Sequence, residues 1–423
     1  MYDLVNAYLE NGLRIVLHRI PDTKTAACGL WLKQGSSYET DENNGLSHLT
    51  EHLVLNPHNK LNEKYRNIME KITAEGVVYN AATTKEYTCY YFTGLSQNLE
   101  MCLQALGCIA SENRTFDKSF FENEKKVVEQ EAIGFYSAFQ QIKERTSSAL
   151  WGNTGTGKII MGDITNVRNA NQEQIVDILD KTYVPNNAVL VVIGNIKYTD
   201  ILNKIEDIFS YWESRQLVVR EQAVESVPGI YLNPAKGVSG VLSLGFRTTG
   251  YSDYTRPYNE MTLRILGQSG MHARMIDEIR IKRGLSYNLG GFGSFYSKRG
   301  TIGFMAVSEK NKLIEIAKIM SAVLDEALTN GFTETEVENE KKAMETALWL
   351  SVDNLTDHLR CIGKCAVMDK DFYIENEVRA IRDISLEAVN ESMRKVFSMD
   401  NLGLACIGEV DSDSLVESVR LSN

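Results

Sequence analysis

One long-range repeat constrains every fold open to this chain. Tyr183-Val-Pro-Asn-Asn-Ala-Val-Leu-Val-Val-Ile-Gly194 is echoed by Phe397-Ser-Met-Asp-Asn-Leu-Gly-Leu-Ala-Cys-Ile-Gly408. In each segment an aromatic stands eleven residues before the final glycine and an Asn seven before it. The two glycines lie 214 residues apart in a chain of 423. Self-similarity at half the chain length indicates duplication of a whole domain rather than a solenoid of short units. The openings of the halves agree: Arg14–His18 and Ala26–Leu32 read as strands in the first, Gly229–Leu232 and Val241–Phe246 in the second. Long helical patterns accompany them at Asp117–Ser137, Asn171–Thr182 and Glu334–Ser351. The expected fold class is therefore α+β, with two homologous domains, each a mostly antiparallel or mixed sheet with helices on one face. Their expected bounds are 1–213 and 229–423, joined over 214–228 by a polar, charged linker without a core-facing period.

Composition narrows the function. A formal net charge of −11 disfavours non-specific nucleic-acid binding and favours basic stretches in a substrate or partner. No stretch approaches the ~18 apolar residues of a membrane span, and Met1–Leu13 lacks the basic start and apolar core of a secretory signal. Seven Cys at irregular spacing read as reduced, mostly buried thiols, so a cytoplasmic protein is expected. Cys361 and Cys365 are four apart, but no second pair completes a metal site, and they read as core.

The chemistry concentrates in Gly45-Leu-Ser-His48-Leu-Thr-Glu51-His52-Leu-Val-Leu55. On a helix, residues three and four apart share a face, so His48, Glu51 and His52 project together. Two neutral imidazoles at this spacing can hold one Zn²⁺, with the carboxylate beside a metal-bound water. Leu46, Leu49, Leu53 and Val54 supply an apolar stripe to bury the remainder. The bland alternative is two ordinary histidines on an amphipathic helix.

His48-x-x-Glu51-His52 is the inverzincin motif. The chain resembles the pitrilysin/insulinase family of zinc peptidases, in its bacterial branch akin to the mitochondrial processing peptidase. Four further stretches carry the likeness: Asn80 to Tyr91, Glu124-Lys-Lys-Val-Val-Glu-Gln-Glu131, Tyr183 to Gly194, and Leu266 to Met271 with Arg280 to Tyr287. The resemblance implies a clamshell of two domains, a Zn²⁺ cofactor and a peptide substrate. It also implies a third ligand glutamate. Literal family spacing lands on Glu129, whereas the local pattern selects Glu131, which shares a helical stripe with Glu124, Val127 and Val128. Glu124 is then a carboxylate that hydrogen-bonds a ligand or the backbone beside it, or else a solvated helix charge.

The same resemblance makes Glu51 the general base. It makes Arg280 and Tyr287 a pair that holds the substrate carbonyl, with Arg283 a competitor for the arginine's role. Asn80 and Ala81 fall on a strand that pairs with an extended peptide, or on an ordinary half-buried strand. His272 and His358 stand alone and read as structural. Gly152-Asn-Thr-Gly-Thr-Gly-Lys158 imitates a phosphate-binding loop but continues with Ile159 where Ser or Thr is needed, and reads as a flexible loop. Three functions remain open: removal of the leader from a ribosomally made, modified peptide, as in bacteriocin maturation; general oligopeptidase activity; and a non-catalytic scaffold subunit. A homodimer, or a heterodimer with a related subunit, is expected.

Overall fold

The computed structural model describes residues 4–137, 139–217 and 226–421. Residues 218–225 of the expected linker lie outside the described residues. Eleven strands form two sheets among the described residues. The first contains β1 (Leu4–Tyr8), β2 (Arg14–Arg19), β3 (Thr25–Leu32), β4 (Val78–Thr83), β5 (Thr88–Leu95) and β6 (Ala188–Gly194), in the order β1-β2-β6-β3-β5-β4. The second contains β7 (Ile230–Asn233), β8 (Ser239–Thr249), β9 (Asn288–Phe295), β10 (Arg299–Glu309) and β11 (Leu402–Ile407), in the order β7-β11-β8-β10-β9.

Strand for strand, the second order repeats the first without β1. β2 runs parallel to β6 and β7 parallel to β11, while the remaining pairs are antiparallel. The expectation of duplicated α+β domains with mixed sheets holds. The sequence patterns explain the registers. β6 is buried at every position and β3 at all but its first, as near-continuous apolar strands covered on both faces must be. β4 alternates and closes one end of its sheet, so one of its long sides is left unpaired by the sheet.

The compact units cut across the expected halves. The first unit comprises Met1–Ala132, Ile160–Gln222 and Trp349–Ile374; the second comprises Ile133–Ile159, Ala223–Leu348 and Glu375–Asn423. The physical reason is that each sheet needs a second cover and takes it from the other half of the chain. Leu13, Ile15, Leu30, Leu190 and Val192 belong to the core shared with the helices of the first half, such as Leu46–Leu55 and Leu99–Gly107. The helix Leu355–Val367 packs on β3 and β6 of the same sheet. There the Trp31 ring lies so close to Gly363 that a Cβ on this glycine would fall 2.2 Å from Trp31 Cε2. Arg14 anchors the far end of that helix by donating to the Ala366 carbonyl at 3.0 Å and by pairing with Asp371 at 2.7 Å.

The second unit uses the first half's helix Ile142–Trp151, which packs on β8 and β11. Thr146 donates to Ser243 Oγ at 2.9 Å, and a Cβ on Gly245 would meet Thr146 Cγ2 at 2.2 Å. The glycine-rich segment after this helix is a clamped 3-10 turn, Gly155–Gly157, rather than the flexible loop expected. Ser147 and Ser148 donate to the carbonyls of Thr156 and Gly157, and Lys158 is buried.

Filling the contact at Gly363 should therefore be costly. Gly363→Val is expected to destabilise the protein by about 1–3 kcal/mol through overpacking against Trp31, read as a lowered midpoint of thermal unfolding. Gly134→Ala, where an added Cβ meets nothing within 4 Å inside the helix Lys118–Ser137, should instead stabilise by about 0.5–1 kcal/mol.

Candidate metal centre

Two helices of the first unit build the centre. The metal helix, Leu46–Leu55, starts at Gly45, whose φ of +104° lies in the left-handed region that a side chain disfavours. Its apolar face, Leu46, Leu49, Leu53 and Val54, is fully buried, which turns His48 and Glu51 into the interior and leaves both about 8% exposed. The second helix, Lys118–Ser137, buries Phe121, Glu124, Val128 and Ala132, and so directs Glu131 toward the two histidines.

His52 Nε2 lies 3.3 Å and His48 Nε2 3.8 Å from Glu131 Oε2. One donor atom from each of the three residues can be chosen so that all lie within 4.8 Å of one another, the only such group of three or more among the described residues. The histidine rings stand nearly perpendicular, at 83°, with centroids 4.8 Å apart. Ligands at roughly 2.0–2.1 Å from a tetrahedral Zn²⁺ are separated by about 3.3 Å, so the donor set and its spacing fit that ion. Glu129 is directed elsewhere and pairs with Arg168 at 2.5 Å.

The electrostatics agree with a site built for a cation. Burial pushes His48 down to about 4, with His52 adding to the effect, so its imidazole is neutral and able to ligate. Burial would also lower His52, but the carboxylates of Glu124, Glu131 and Glu51 outweigh it and push this imidazole up to about 9. The hydrogen bond from His52 leads the causes that hold Glu131 below its usual range. Glu124 is buried, its Oε2 lies 3.7 Å from His52 Nδ1, and its Oε1 accepts from Asn56 Nδ2 at 2.7 Å. It is thus held against the back of a histidine rather than solvated.

Glu51 does not join the three donors. Burial raises its pKa, opposed by the hydroxyl and the backbone N–H of Thr83, which both donate to it; Thr83 Oγ1 lies 2.5 Å from Glu51 Oε2. Thr83 and Asn56 are functional neighbours that sequence reading misses, although Asn56 has a local signal as the residue closing the metal helix. Asn80 and Ala81 lie on β4, the strand at the end of the sheet that also carries Thr83.

In the second unit, Arg280 Cζ sits 4.3 Å from the centroid of the Tyr287 ring, and Tyr287 is 81% exposed. A shared helix face is not what joins them. The helical turn ends at Ile281, and the chain reverses through Gly284 before Tyr287 precedes β9. Arg283 pairs with Glu278. His272 is exposed in the 3-10 turn Gly270–His272, and His358 is buried with its ring 5.0 Å from that of His18.

The second unit also contains the counterpart of the metal centre. Glu122-Asn-Glu-Lys-Lys126 recurs as Glu338-Asn-Glu-Lys-Lys342 in the helix Glu334–Asp353. Glu340, matching Glu124, is buried and pairs with Arg264, while Ala347 stands where Glu131 would be. A fixed guanidinium and a methyl group replace the ligands there.

Comparison with known proteins bears on both units. Residues 14–164 match the model of the insulinase family, peptidase family M16, and residues 169–344 match the M16 inactive domain. The uncharacterized zinc protease YmxG of Bacillus subtilis is 27% identical over 393 residues, covering 92% of this chain and 95% of that protein. An uncharacterized zinc protease of Rickettsia felis is 27% identical over 397 residues, covering 92% and 94%. A protease from Helicobacter pylori has the same fold, with a TM-score of 0.89 at 16% identity over 96% of this chain and 100% of that one.

The two candidate carboxylates are separable by experiment. Glu131→Ala is expected to lower zinc affinity by at least about a hundredfold in a chelator competition, and Glu124→Gln by about 10–100-fold. Glu129→Ala should bind zinc as the unaltered chain does, since it gives up only a surface pair with Arg168.

Proposed function

The chain belongs to the insulinase (M16) family and is a zinc protease, and from that premise we propose that it is an endopeptidase cutting extended peptides at the centre built by His48, His52 and Glu131. The supporting observation is that this donor set lies within 4.8 Å while a buried, unligated carboxylate, Glu51, projects from the same helix. Three protein ligands leave a fourth position for water, the catalytic rather than the structural pattern.

When bound, zinc supplies Lewis acidity toward the attacking water and the scissile carbonyl. Glu51 takes the proton that the water gives up and returns it to the leaving amine. Its low exposure suits that task, because burial favours the protonated form it must pass through. Thr83 fixes the carboxylate by donating to it. Glu124 steadies His52 from behind. Asn80 and Ala81 offer the outer side of β4 to the peptide backbone, which makes binding largely independent of side-chain identity. Arg280 and Tyr287 act as donors to the substrate carbonyl as negative charge develops on its oxygen.

The substrate proposed is the leader of a ribosomally synthesised, modified peptide, cleaved in the cytoplasm by a dimer of this chain with itself or with a related subunit. Among the described residues no helix is long and apolar enough to cross a membrane. A net charge of −11 favours basic leader segments.

Glu51→Gln is expected to retain zinc and lower kcat/KM by at least about a thousandfold on a fluorogenic peptide; wild-type turnover would remove Glu51 as the base. Tyr287→Phe and Arg280→Ala should each lower kcat by about 10–1000-fold with zinc content unchanged, and an effect on KM alone would assign them to binding only. A bacteriocin precursor should be cut at one bond faster than a set of random peptides; equal cleavage of both indicates a general oligopeptidase.

A further inference from the structure

The start of the metal helix poses a problem of local chemistry. Gly45 occupies the capping position and makes no side-chain cap. A capping side chain is disfavoured there twice: φ is +104°, and a Cβ on Gly45 would lie tight against Met161 O at 3.1 Å and Gly162 Cα at 3.2 Å. The first turn of any helix nevertheless has backbone N–H groups without partners inside the helix.

Glu39 supplies them from outside. Its Oε1 accepts from Ser47 N at 2.7 Å, and its Oε2 accepts from Gly45 N at 3.0 Å and from Asn44 Nδ2 at 2.8 Å. Glu39 is 6% exposed, and among the described residues no lysine or arginine pairs with it. Burying a carboxylate without a cation is expensive unless hydrogen bonds satisfy it; here the donors are the Asn44 amide and the backbone N–H groups of Gly45 and Ser47 at the positive end of the helix. Ser47 is held a second time, its Oγ accepting from Gln34 Nε2 at 2.7 Å. The Gln34 carbonyl in turn accepts from Thr88 Oγ1 at 2.8 Å, on the strand paired with β4. His48 follows Ser47 directly. A helix rotation of ~10° would carry a ligand nitrogen ~6 Å from the axis through about 1 Å, enough to spoil a metal site.

We propose that Glu39 is a positioning residue of the metal centre: its carboxylate fixes the rotation of the helix Leu46–Leu55 so that His48 and His52 meet Glu131. The inference rests on the zinc reading above, and it concerns geometry rather than ligation.

The test uses the full chain and compares Glu39→Gln with Asn171→Ala. Asn171 caps the helix Gln172–Thr182 through a capping box, so its loss lowers stability in the same unit while leaving every hydrogen bond of Glu39 to the metal helix in place. Zinc affinity is measured by chelator competition, the visible spectrum of the Co²⁺-substituted protein reports ligand geometry, and the thermal midpoint of the metal-free protein reports stability. Glu39→Gln is expected to weaken zinc binding about 10–100-fold and to alter the Co²⁺ bands, with Asn171→Ala unchanged in both at a comparable loss of thermal midpoint. The proposal is overturned if Glu39→Gln binds zinc as tightly as the unaltered chain with the same spectrum, or if Asn171→Ala loses as much affinity. An unaltered chain that takes up no zinc would instead overturn the metal reading itself.

Discussion

The centre depends on one electrostatic constraint: several carboxylates and two imidazoles are drawn together at the edge of the core, with Glu131 half open to solvent. His48 and Glu51 are almost out of solvent, Glu124 is buried behind His52, and Glu131 closes the group from a second helix. Those carboxylates push His52 up to about 9, against the effect of its burial. A divalent ion balances the same carboxylates with more charge and a defined geometry. The surrounding structure follows from keeping this cluster in place, since a short helix is marginal without tertiary support. Its apolar stripe lies in the core, its first turn is tied to Glu39, and Asn56, which closes its end, also reaches Glu124.

The duplication gives two units the same frame, but among the described residues only the first brings together donors that could hold a metal. Where the first unit has Glu124 against His52, the second has Glu340 against Arg264, with Ala347 in the place of Glu131. The inherited glutamate is buried in both cases and keeps a half-buried partner that offsets the cost of its burial. In the second unit that partner is a permanent charge from the chain itself, so no ion is needed to satisfy it. The frame is retained there, and the same unit carries the surface pair Arg280 and Tyr287.

Much of this is legible in the sequence where the signal is local. Strands β2, β3, β6 and β11 announce themselves through apolar runs between glycines and turns, and the helix Gln172–Thr182 through Asn171. The spacing of His48, Glu51 and His52 needs only the helical period. The parts that are hidden depend on distance. Glu39 looks like any loop acid, because its partners are the Asn44 amide and backbone N–H groups. Thr83 gains its role only when β4 lies beside the metal helix. The pairing of Arg280 with Tyr287 comes from a reversal at Gly284, not from the seven-residue spacing. The exchanged helices are hidden most completely, because an amphipathic pattern tells that a helix is covered without telling by which half of the chain.

That exchange has a temporal side. On a ribosome the strands of the first sheet and the candidate ligands His48, His52 and Glu131 emerge within the first half of synthesis, yet the helix Leu355–Val367 that seals Trp31 comes near the end. Until then one wall of the sheet is bare, and the unit carrying His48, His52 and Glu131 lacks a complete hydrophobic enclosure. A prematurely terminated chain therefore carries these three donors without the helix that covers the second face of their sheet. A late stretch of the chain thus completes the enclosure of the unit that carries these donors.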